Sequence, residues 1–271
     1  MRLIPFILLL TGVLSTCGSK QAFNNYSFVL GVSKGPIDNP EIDEASGLAA
    51  SVNDLSALWT HNDSGDKGRI FRIDTSGHFL NEVTLEGIAN RDWEDIAVGA
   101  GPNDLTYVYV ADIGDNSGKH EIKTIYRFVE PLIATKGESV RITKIDSIKF
   151  SYPDGPRDAE SLFVDPLSKS LFIFSKREEK EAHVYELPFP QSTTETTEAT
   201  LVMKIPFTGL VAADMSGDGR ELLAKTYTNV FYWTRLADES IPDMLSREPF
   251  RLPYATEPHG ESIAFDRSGK G

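Results

Sequence analysis

The sequence has a single cysteine, Cys17, so no disulfide can close within the chain. Long hydrophobic runs are missing too: the longest, Leu3–Leu14, is broken by Pro5, Thr11 and Gly12 and is too short to span a bilayer. Basic residues are scarce. The 27 Lys and Arg stand against 40 Asp and Glu, a formal net charge of −13. That balance excludes nucleic acid as a partner, because phosphate backbones need clustered Lys and Arg. Helical periodicity is nearly absent, which argues against helical and α/β folds. There is no Gly-x-Ser-x-Gly elbow, Walker loop, His-Glu-x-x-His or cysteine cluster, so the common hydrolase, nucleotide and zinc signatures do not apply.

The N-terminus is organised around the one cysteine. Arg2 and the short apolar run give residues 1–16 the shape of a signal peptide. Leu14-Ser-Thr-Cys17 follows at once and resembles the bacterial lipobox, with Thr16 where that pattern usually has Gly, Ala or Ser. A lone thiol at this boundary points to lipidation of Cys17, with an ordinary secretory signal as the alternative. Residues 17–25 are polar and read as a tether, and 26–271 as one domain. The expectation is a monomeric lipoprotein outside the cytoplasm, in the periplasm or on the outer membrane, touching the membrane only through Cys17.

One short acidic box recurs along the domain. Its copies are Glu44-Ala-Ser46-Gly-Leu48, Asp92-Trp-Glu94-Asp-Ile96, Asp158-Ala-Glu160-Ser-Leu162, Gly209-Leu-Val211-Ala-Ala213 and His259-Gly-Glu261-Ser-Ile263. The steps between their fifth positions are 48, 66, 51 and 50 residues. Such a period predicts an all-β fold, a β-propeller of four-stranded blades. Three further apolar runs follow each of the first four boxes, rich in β-branched and aromatic residues and bounded by turn formers. Five blades are expected, with six as the other possibility. Tyr26–Val32 would supply a closing strand, and the last blade would be incomplete, some 20–40 residues short by the blade period. Trp59, Trp93 and Trp233 are candidate core residues or, in part, a platform for sugars.

Antiparallel pairing puts the start of a blade's first strand beside the end of its second. The boxes therefore share one rim with the polar ends of the second strands: His61, Asp63 and Asp66; Asp112 and Asp115; Lys176 and Arg177; and Lys225. Glu44, Asp92 and Asp158 form one column of acids, and Glu94, Glu160 and Glu261 a second; the fourth box breaks both. Glu94, Glu160, Glu261 and Asp112 are the candidate metal ligands, since converging carboxylates suit a hard cation such as Ca²⁺. Asp63, Asp66, Asp92, Asp115, Asp158, Lys176, Arg177 and Lys225 would line the rim. His61 and His259 are the candidate general acid and base. The same acids would also serve as inter-blade hydrogen-bond hubs, so hub, cation site and acid–base site all stand open.

The words Ser46-Gly-Leu-Ala49, Leu58-Trp-Thr-His-Asn-Asp-Ser-Gly65, Asp92-Trp-Glu-Asp-Ile-Ala97, Asp112-Ile-Gly-Asp-Asn116 and Gly260-Glu-Ser-Ile-Ala264 together resemble a group of uncharacterised secreted bacterial propeller lipoproteins. More distantly the pattern is similar to the SdiA-regulated propellers and to the esterase-like phytase propellers. The first resemblance implies no particular chemistry. The second implies a metal-dependent esterase or phosphoesterase. The leading expectation is a propeller that binds a divalent cation or small polar ligand at an acidic rim, with that hydrolase as the alternative.

Overall fold

The computed structural model describes residues 28–267; the signal segment, Cys17 and the tether lie outside them. The strands form four sheets. Blade one contains β1 (Ala45–Ala50), β2 (Ala57–Asn62), β3 (Lys67–Asp74) and β4 (Phe79–Ala89). Blade two contains β5 (Trp93–Ala100), β6 (Thr106–Asp112) and β7 (Lys123–Val129); after the short β8 (Val140–Ile142) it is completed by β9 (Asp146–Ser151). Blade three contains β10 (Ala159–Val164), β11 (Leu171–Ser175) and β12 (Ala182–Leu187); after β13 (Thr197–Glu198) it is completed by β14 (Thr200–Ile205). Blade four contains β15 (Leu210–Met215), β16 (Glu221–Thr226) and β17 (Val230–Thr234); a short helix, α1 (Ile241–Leu245), precedes its last strand, β18 (Phe250–Leu252). Within each blade the successive strands pair antiparallel, as a meander.

The blades pack face to face, so most strands have no solvent side and read as continuous apolar runs rather than alternating ones. Trp59, Ile70 and Val83 of blade one meet Trp93, Ile96 and Val108 of blade two. Tyr109, Ile125 and Phe150 of blade two meet Leu162, Ile173 and Tyr185 of blade three. Phe163, Phe172 and Phe174 of blade three meet Leu222, Phe231 and Trp233 of blade four, with Ile241, Met244 and Leu245 of α1 covering that seam. All three tryptophans are fully buried in these layers, so none of them offers a face to a sugar.

Two short strands tie the blades together. β8 lies in the sequence of blade two but pairs in parallel with β4 of blade one. β13 lies in the sequence of blade three but pairs in parallel with β9 of blade two. Each covers part of an outer edge that would otherwise present unpaired backbone groups. The long 66-residue step between the second and third boxes contains the first of these straps.

The expectation of five or six blades is overturned: four sheets hold every strand among the described residues. The fifth box does not become a strand, because no neighbouring strand bonds to it. Residues 260–266 run as irregular chain. Ile263 and Phe265 pack on Leu223, Val230 and Tyr232 of blade four, and the Phe265 N–H donates to Asp214 Oδ2 at 2.8 Å. Phe28–Val32 of the expected closing strand are likewise irregular and largely exposed, while Tyr26 lies outside the described residues. Blade four closes on its own β18.

Candidate functional site at the acidic channel mouth

The first two strands of every blade share one irregularity. Pairing runs from Ala45 to Asn62, Trp93 to Asp112, Ala159 to Ser175 and Leu210 to Thr226, and in each blade it slips at the next residue. Ser46, Glu94, Glu160 and Val211 are the extra residues. These are β-bulges, which leave one residue out of the ladder and re-aim its side chain. The third position of the acidic box is therefore a bulge four times over. The first strands stand side by side in the order β1, β5, β10, β15, so the bulges trace an arc around one end of the channel. The loops after the second strands are held against it: the carbonyls of Glu44, Asp92 and Asp158 accept the N–H groups of Asp63, Gly114 and Lys176 at 3.0, 3.1 and 3.1 Å. The rim expected from antiparallel topology is present.

At this mouth Asp63, Asp92 and Glu94 bring one carboxylate oxygen each within 4.8 Å of one another, and so do Glu94, Asp158 and Glu160. Glu94 belongs to both groups. The two differ in what neutralises them. Glu160 is paired with Lys176, whose Nζ also donates to Tyr227 Oη at 3.2 Å. Asp158 accepts the Asp115 N–H at 2.8 Å and pairs with Arg177. Glu94 is 5% exposed, and among the described residues no donor reaches its carboxylate. Among the described residues Asp92 and Asp63 have no cationic side chain in contact either; Asp63 Oδ1 accepts the Ser64 N–H, at 2.5 Å. Gly114 makes the closeness possible, since a Cβ there would overlap Glu94 Oε1 and lie 2.6 Å from Asp92 Oδ2.

The electrostatics follow from this geometry. Burial first, then the charges of Glu160, Asp63 and Asp92, hold the Glu94 carboxyl far above its ordinary range. Burial also raises Glu160, against the pull of Lys176. Asp63 and Asp92 are raised by burial and by neighbouring acids. Asp115 shows the opposite outcome a few ångströms away. Despite its burial, the N–H groups of Lys119 and His120 at 2.9 and 2.7 Å, with Lys123 at 3.1 Å, hold it down at about 2.

Other candidate residues are placed elsewhere. Asp112 pairs with Arg91 at 3.0 Å and accepts the Asp92 N–H at 3.3 Å. Asp66 is one of three acids on Arg69, with Glu41 and Glu82. Glu261 accepts Tyr227 Oη at 2.5 Å at the border of the mouth, and Lys225 binds the Gly260 carbonyl. His61 is fully buried against Gly47 in the seam between β1 and β5, where desolvation pushes it down to about 4. It is neutral near pH 7, with Nδ1 2.9 Å from the Asn62 carbonyl oxygen. His259 is exposed, with φ of 52°.

Reading the sequence alone missed Asp95, the fourth position of the second box. Its side chain turns away from the mouth into the seam, where Oδ1 accepts the Ile96 N–H at 2.9 Å and Oδ2 the Leu162 N–H of blade three at 2.8 Å. Gly114 and Tyr227 were missed as well. The word Asp112-Ile-Gly-Asp-Asn116 carried a signal for the first; nothing marked the second.

Fold and mouth define a four-bladed β-propeller with converging carboxylates at one channel end. No family model matches the chain, and no curated protein is significantly similar to it. Among solved structures, an auxiliary nutrient binding protein from Bacteroides thetaiotaomicron is similar at 10% identity and a TM-score of 0.47, over 78% of this chain and 42% of that one. The Dos1 propeller is similar at 13% identity and a TM-score of 0.35, over 81% and 61%. A structural-genomics protein of Bacteroides thetaiotaomicron is similar at 10% identity and a TM-score of 0.41, over 71% and 42%. The chain thus spans less than two thirds of the length of each.

Proposed function

We propose that the mouth binds a divalent cation, Ca²⁺ above all, and through it small polar ligands, in a propeller held outside the cytoplasm by a lipid on Cys17. The observation that carries this reading is the bare carboxylate of Glu94, buried and without a donor, within 4.8 Å of the oxygens of Asp63 and Asp92. Two oxygens on one calcium ion lie no further apart than twice the metal–oxygen distance of about 2.4 Å, so this spacing suits a shared ion. Three acids without a cationic partner supply the oxygens, and the ion displaces the proton that Glu94 holds in its absence. Calcium titration followed by thermal unfolding tests the idea. The melting temperature rises with calcium in the wild type and stays flat in Glu94→Gln. A wild type that neither calcium nor magnesium stabilises overturns it.

A metal-dependent hydrolase of esters or phosphoesters would use the same mouth. What favours keeping it is Glu160, a buried carboxyl raised toward neutrality and so able to exchange a proton there. Turnover of an ester and phosphoester panel that disappears with EDTA supports it; no turnover with any divalent ion removes it.

A further inference from the structure

Blade four has a second concavity on the loops beside the mouth, with a volume of about 410 Å³, lined by Phe207, Thr208, Thr228, Asn229, Phe231 and Arg251 among others. Its floor is aromatic and fixed. The Phe207 ring lies tilted on buried Phe231, with centroids 4.4 Å apart. The Phe207 backbone is held at both ends: its N–H donates to the Ile205 carbonyl at 2.8 Å and its carbonyl accepts from the Ala182 N–H at 2.6 Å. One wall is a tight turn organised by Thr226, whose Oγ1 accepts the N–H groups of Thr228 and Asn229 at 3.3 and 3.0 Å. This leaves two short polar side chains at the tip, with Thr208 opposite.

Arg251 sets the character of the pocket. It is exposed on β18, with its guanidinium 5.7 Å from the Phe231 ring centroid. Among the described residues every other arginine has a carboxylate or carbonyl partner. Arg251 has neither, in a chain with a large excess of acids. An unpaired guanidinium over an aromatic floor is a fork for one carboxylate.

We propose that this pocket binds a uronic acid unit of an acidic polysaccharide. The apolar face of the sugar ring rests on Phe207, the ring hydroxyls meet Thr208, Thr228 and Asn229, and the carboxylate pairs with Arg251. A phosphate ester would call for more than one cation. Thr228 and Asn229 already bond to each other, Asn229 Nδ2 donating to Thr228 Oγ1 at 2.9 Å, and their remaining donor and acceptor capacity suits ring hydroxyls rather than a flat aromatic acid. Tyr227 lines this pocket and also borders the mouth, but Phe207, Thr208, Thr228, Asn229 and Arg251 touch none of the mouth's carboxylates, and binding in EDTA tells the two sites apart.

The test is calorimetry of the full chain in EDTA with a galacturonic acid tetramer, beside a galactose tetramer and benzoate. The acid tetramer is expected to bind saturably, at least about tenfold more tightly than the neutral one, and Arg251→Gln to abolish that difference. Arg251→Gln is exposed and is expected to melt with the wild type, so its loss of binding is not a loss of fold. Three results overturn the proposal: no saturable binding at millimolar acid tetramer, equal binding by Arg251→Gln, or binding of benzoate in preference to the sugar acid. Affinity that appears only with added calcium places the ligand on the mouth and overturns it as well.

Discussion

Glu94 and Asp95 are adjacent in one strand and both buried, yet they occupy opposite environments. Glu94 is the bulged residue and faces other carboxylates with no donor in reach. Asp95 is back in the ladder and faces the seam, where backbone N–H groups from two blades satisfy it. Burial raises the pKa of both. What separates them is the partners. A buried acid with N–H partners is part of the frame; a buried acid among acids is held there by the frame at a cost in stability. The chain contains both kinds one residue apart, so buried charge alone does not mark a site.

The largest expected effect tests the frame side of this contrast. Asp95→Ala leaves the Ile96 and Leu162 N–H groups unpaired, and urea unfolding should show a loss of about 2–6 kcal/mol. Asp95→Asn keeps an acceptor and loses less. A loss below about 0.5 kcal/mol for the alanine variant would erase the distinction. Next comes the mouth: calcium at a hundred times its Kd should stabilise the wild type by about 2.7 kcal/mol. Glu94→Gln should gain nothing from calcium, and in EDTA it should be about as stable as the wild type, since burial and the neighbouring acids keep Glu94 protonated and uncharged there.

A smaller effect concerns Asp214, a second seam acid, which burial pushes up to about 6 while the Phe265 N–H opposes that rise. Its folded form holds a proton more tightly than the unfolded chain, so its contribution to stability is greatest at low pH. That contribution is lost as pH rises from about 4 through 6. The residue is half-buried rather than fully enclosed, so the change should be about 1–2 kcal/mol. Asp214→Asn should flatten the wild-type decline across this window; an unchanged slope would show that another group causes it. The smallest effect on stability is expected from Gly114→Ala. Its Cβ displaces the carboxylate ends of Glu94 and Asp92, which are flexible. Calcium affinity should fall about tenfold, while the melting temperature in EDTA moves by less than about 2 °C.

Much of this was legible in the sequence. The apolar runs Arg69–Ile73, Thr124–Val129 and His183–Leu187 lie within β3, β7 and β12, because buried strands announce themselves by composition. The rim followed from antiparallel pairing, and with it the meeting of Glu94 with Glu160. The number of blades did not. A box is a strand only if another strand lies beside it, and Gly260–Phe265 has the pattern without the partner. The straps β8 and β13 were hidden because two or three paired residues are decided by a neighbouring edge, not by local sequence. Helix α1 spans only five residues, too few for a period to show. The direction of Asp95 depends on a register slip at Glu94, and a pattern of residue types does not record slips.

That slip has a consequence for how such a ring can change. The bulged residue forms no ladder pair, so its identity is released from the demands of β-pairing. The four bulges behave as sockets in a fixed rack, now filled by Ser46, Glu94, Glu160 and Val211. Exchanging one plug alters the chemistry of the channel end while the seams keep their packing. A glutamate in place of Val211 would extend the acidic arc to blade four; a serine in place of Glu94 would silence it. The scaffold thus keeps its shape on one set of residues and the chemistry of its channel end on another.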